Sequence, residues 1–68
     1  MIPPTNTIVE ALQKKYEAEI AAAKANIQIY MEHPVGIGEH PDLVAAVDSE
    51  VSKLAEAEDK LGSLLDNF

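Results

Sequence analysis

Hydrophobic residues recur along this chain at helical spacing in two stretches, separated by a single break. In the first stretch Val9, Leu12, Tyr16, Ile20, Ala23, Ile27 and Tyr30 follow one another at steps of 3, 4, 4, 3, 4 and 3. Such steps return to one face of an α-helix and do not fit strand alternation. The consecutive fours between Leu12 and Ile20 act as a stutter that relaxes any supercoil locally. The second stretch carries two heptad series: Val44, Val51, Glu58, Leu65 and Val47, Leu54, Leu61, Phe68. Glu58 is the one polar member. Leu43, Ala57 and Leu64 widen the stripe beyond a two-stranded seam, which suits a bundle.

Local signals place the ends of these helices. Thr7 and Glu10 have the S/T-x-x-E spacing of a capping box, so the first helix is predicted over residues 7–32, preceded by an extended arm at 1–6 that contains Pro3 and Pro4. Pro34 disfavours helical geometry at His33 and stops that helix. Pro41 suits a first helical position because its missing amide hydrogen is not needed there, with His40 as N-cap and Asp42 complementing the helix dipole. The second helix is predicted over 41–65; Gly62 weakens its last turns by up to about 1 kcal/mol against alanine.

Between them, residues 33–40 hold a turn. Pro34 suits the second position of a type I turn and Gly36 the fourth, and Gly38 gives freedom before the next helix. Val35 and Ile37 are predicted to fold inward as an apolar plug. The fold class is therefore all-α: an antiparallel two-helix hairpin in one domain over residues 7–68. Folding the chain about Ile37 pairs residues whose numbers sum to about 74. Val51 then meets Ala23, Leu54 meets Ile20, Leu61 meets Leu12, Leu65 meets Val9, and Glu58 lands opposite Tyr16 within hydrogen-bond or water-bridged reach.

Size changes the picture. Sixty-eight residues without a cysteine have neither disulfide nor thiolate metal site to staple a thin core. Ile8, Ile29, Met31, Leu43 and Leu64 exceed what one seam can cover. A second copy is the remaining source of burial, and a dimer closing into an antiparallel four-helix bundle is expected.

Charge narrows the partners. Twelve acids stand against five lysines, with no arginine, for a net charge of −7. That balance repels phosphate backbones and anionic membranes, so neither nucleic acid nor a membrane is an expected partner. No apolar run approaches the roughly 20 residues of a membrane span, and the N-terminus lacks a secretion signal, so a cytoplasmic location is the default.

Candidate chemistry is sparse. Glu32, His33, Glu39, His40 and Asp42 are possible metal ligands, but the H-x6-H spacing matches no zinc arrangement, and each histidine has a structural job beside a proline. Gly36-Ile37-Gly38 follows a helix, lacks a third glycine and has no βαβ context, so it reads as a turn and not as a phosphate cradle. Ser49, Ser52 and Ser63 have no evident base beside them. Glu50, Glu56 and Asp59 read as a solvated helix face. No cofactor or metal is expected, and no enzymatic activity.

The stretch Tyr30-Met31-Glu32-His33-Pro34-Val35-Gly36-Ile37-Gly38-Glu39-His40-Pro41-Asp42-Leu43-Val44 resembles a segment of short uncharacterised proteins from marine tailed bacteriophages, including the T4-like cyanophages. The run Ala57-Glu58-Asp59-Lys60-Leu61 is similar too. The resemblance spans roughly residues 27–61. It implies a viral or viral-like source, hence the host cytoplasm, and brings no functional residues. Two functional classes follow: a self-associating structural or protein-interaction module, or an acidic, DNA-mimicking inhibitor of a basic host protein.

Overall fold

A computed structural model describes residues 4–33 and 42–68. Two helices account for nearly all of them: α1, Pro4–Glu32, and α2, Leu43–Asn67. Asn26 of α1 meets Glu50 of α2, and Tyr16 meets Lys60, so the helices run antiparallel. The hairpin is a rod of 51 × 18 × 14 Å.

The helix ends differ from the sequence expectation in ways that simple chemistry explains. α1 begins at Pro4, so residues 4–6 are helical and not an extended arm, while residues 1–3 lie outside the described residues. Proline is well placed at a first helical position. Thr7 therefore sits inside the helix, and it cannot cap it with Glu10. Glu10 instead accepts from Lys14 at 3.0 Å, one turn on. α1 ends at Glu32 as expected, with the His33 amide still donating to the Ile29 carbonyl at 2.8 Å.

α2 starts at Leu43, two residues after the expected Pro41 start, with Asp42 and not His40 as its N-cap. The Asp42 side chain accepts from the Ala45 amide at 2.9 Å, satisfying one of the helix's orphan donors. The helix runs on to Asn67, past the expected end at 65. Two contacts hold that last turn: Phe68 donates its amide to the Leu64 carbonyl at 3.1 Å, and Asn67 Nδ2 donates to the Ser63 carbonyl at 2.7 Å.

The seam on α1 is the expected one. Ala23 is buried, and Val9, Leu12, Tyr16, Ile20, Ile27 and Tyr30 are half-buried. On α2 the series Val47, Leu54, Leu61 also faces inward. The other series is displaced by one residue. Leu43, Glu50, Ala57 and Leu64 occupy the seam, whereas Val44, Val51, Glu58 and Leu65 are exposed. One residue is about 100° of helix, enough to turn a core stripe onto a flank. The core is correspondingly thin: among the described residues the buried apolar ones are Ala23, Ala57 and Leu64.

Register moves with it. Asn26–Glu50 and Tyr16–Lys60 both have residue numbers summing to 76, not about 74. Glu58 does not partner Tyr16. The Tyr16 ring lies beneath the Lys60 ammonium, 5.9 Å from its centroid, at the outer edge of cation–π range.

Candidate functional site

The most structured polar feature is a cleft of about 270 Å³ along one side of the seam, lined by Ala22, Ala23, Asn26, Glu50, Lys53, Ala57 and flanking charges. Glu50, expected on a solvated face, is only 6% exposed. Its position in the 43/50/57/64 heptad aims it at α1, and Asn26 one turn beyond Ala23 meets it there. Asn26 Nδ2 donates to Glu50 Oε1 at 2.6 Å. Lys53, one turn on along α2, brings its ammonium within 3.1 Å of Oε2. That ion pair is the contact Oε2 makes among the described residues.

Together these contacts pull the Glu50 carboxyl below its ordinary pKa: first the Asn26 hydrogen bond, then Lys53, against an opposing push from burial. Lys60, at the open end of the cleft, is shifted up by Glu56 at 3.2 Å. None of the lining side chains carries a hydroxyl, thiol or imidazole. The Asn26–Glu50–Lys53 cluster is a polar layer that joins the two helices through one hydrogen bond and braces the carboxylate with one ion pair. Sequence reasoning missed it because each residue alone looks like surface, and only the register joins them.

The opposite side of the seam is chemically different. A shallow groove of about 460 Å³ is lined by Tyr30, Met31, Leu43, Val44, Val47, Asp48 and Val51. Val44 is 81% exposed and Met31 68%. The two flanks of α2 therefore differ: one carries Lys53 and Lys60, the other Val44 and Val51.

The sequence-predicted turn lies mostly outside the described residues. His33 is exposed at the end of α1. Pro34, Gly36, Gly38, His40 and Pro41 lie outside the described residues, as do Val35, Ile37 and Glu39. Among the described residues no three His, Asp or Glu side chains converge as a metal site. No described helix is long and apolar enough to cross a membrane. No protein-family model, no curated protein and no solved structure matches the chain.

Proposed function

We propose that the chain is a structural or protein-interaction module that works by associating with a second copy, two hairpins closing into a four-helix bundle. The observation that carries this reading is the thinness of the core beside the amount of apolar side chain left outside it. Among the described residues two of the three buried apolar side chains are alanines, while Ile8, Ile29, Met31, Val44, Val51, Leu65 and Phe68 are exposed.

Magnitudes support it. A compact monomer of 7.3 kDa has an accessible surface of about 4,200 Å² by size scaling, and this hairpin has 5149 Å². Its radius of gyration is 15.6 Å, against about 11 Å for a compact domain of this length. A single rod leaves one flank of each helix wet, and a second rod laid along it covers that flank without any new element.

Sedimentation equilibrium across the micromolar range, paired with thermal melts at each concentration, tests the reading. Association makes the melting temperature rise with protein concentration. A folded monomer whose melting temperature is independent of concentration refutes it.

A further inference from the structure

The flank that carries the groove is organised in layers, and the layers specify how a second copy must lie. On α1 the heptad Glu10, Glu17, Lys24, Met31 lies on the side of the groove, because Met31 lines that groove and seven residues are nearly two full turns. On α2 the heptad Val44, Val51, Glu58, Leu65 does the same, through Val44 and Val51. The two series come level in pairs whose numbers sum to 75, within one residue of the register that Asn26–Glu50 and Tyr16–Lys60 establish. From the turn end to the open end the layers are Met31 with Val44, Lys24 with Val51, Glu17 with Glu58, and Glu10 with Leu65. They are spaced about 10 Å apart.

Two face-to-face arrangements of identical hairpins give all-antiparallel neighbours. With both turns at the same end, each layer meets its own copy, and Glu17 and Glu58 bring four carboxylates to one level. With turns at opposite ends, α1 lies on the partner's α1 and α2 on the partner's α2. Lys24 with Val51 then meets the partner's Glu17 with Glu58, and Val44 meets the partner's Leu65. Both happen twice by symmetry.

The charges are available for this. Lys24 has no acid at three or four residues in either direction. Glu17 receives only a long 3.4 Å contact from Gln13, whereas Lys14, Lys53 and Lys60 are each paired within their own helix. The flank also has sufficient size. A rod of 51 by 18 Å presents on the order of 900 Å², against the roughly 800 Å² that each partner buries in a standard interface.

Resting on the self-association reading above, we infer that two hairpins pair through the Val44–Leu65 flank with their turns at opposite ends, Lys24 of each copy meeting Glu17 and Glu58 of the other. The Asn26–Glu50–Lys53 flank then faces outward.

Charge reversal separates this from the alternatives. Lys24→Glu and Glu17→Lys each weaken dimerisation by at least about tenfold in Kd, and the double exchange K24E/E17K restores it to within about threefold. Glu17→Lys is the sharper arm, because it moves the net charge from −7 to −5. General repulsion alone would make that variant associate more tightly. Single variants with wild-type affinity, or a double exchange without rescue, overturn the opposite-end arrangement while leaving association intact. A monomeric wild type overturns both. Circular dichroism confirms that each variant remains helical. The cysteine-free chain allows a second readout: V44C and L65C protomers, mixed under oxidation, cross-link to each other and not to themselves. Homotypic V44C cross-linking refutes the arrangement.

Discussion

Replacing Gly62 with alanine should stabilise the hairpin. Gly62 lies inside α2, five residues before its end at Asn67. A glycine in a helix interior loses more backbone freedom on folding than any other residue, at a cost of about 1 kcal/mol against alanine. A Cβ built at this position meets nothing within 4 Å, so the methyl brings no clash to set against that gain. Unfolding entropy of roughly 2.1 cal/mol/K per residue gives about 140 cal/mol/K for this length, so about 1 kcal/mol raises the melting temperature by about 7 °C. The assay is a circular dichroism melt of Gly62→Ala beside wild type at matched concentration. A shift of 4–8 °C upward is the expected range for a domain of this size. An unchanged or lowered melting temperature at every concentration refutes the reasoning, because it removes either the helical geometry or the open space. A gain present at low concentration and lost at high concentration reports a partner packed onto the position.

Other perturbations probe different parts of the hairpin. Asp42→Ala removes the cap on the Ala45 amide and should cost about 1 kcal/mol, with a urea titration showing a lower midpoint and an unchanged slope. Leu64→Ala deletes the largest of the buried apolar side chains and should cost about 2–3 kcal/mol, at the low end for such truncations because the open edge of the seam can relax. Because the Glu50 carboxyl is depressed in the fold, its contribution to stability is complete above the ordinary carboxylate pKa and disappears as pH falls through the lowered value. Melts from pH 7 to pH 2 should show that loss, and Asn26→Ala, which removes the largest cause of the depression, should move it to higher pH. An acid profile unaffected by Asn26→Ala would discount the cluster.

Most of the hairpin is legible in the residue pattern, and the parts that are not share a cause. The α1 stripe from Val9 to Tyr30 and the α2 series Val47, Leu54, Leu61 each lie inward as their spacing implies. Along α2, however, two heptads sit one residue apart. Val44, Val51, Glu58, Leu65 is the more hydrophobic; Leu43, Glu50, Ala57, Leu64 is the one that packs. Hydrophobicity of single positions favours the first. Fit across the seam favours the second, because Ala57 is small enough to be buried where the helices approach and Glu50 finds Asn26. Those are properties of pairs, and they depend on a register that a shift of one residue in the turn alters. The helix starts differ from expectation for a related reason: Pro4 opens α1 upstream of Thr7, and Asp42 caps α2 downstream of Pro41, choices that depend on the whole hairpin and not on one residue.

Glu50 has a further consequence for how uniquely the chain is put together. Most layers of the seam pair aliphatic residues or alanines with one another, so sliding α2 by one turn along α1 would exchange like for like and lose little. At the Glu50 layer the same slide would bring the carboxylate level with Ala22 or Tyr30, away from Asn26. The acid thus acts as an alignment pin, with its value in the arrangements that it makes costly. Glu50→Leu should keep the hairpin helical while admitting neighbouring alignments, visible as doubled amide resonances where the parent chain gives single ones. A single set of resonances in that variant would show that the turn alone fixes the alignment.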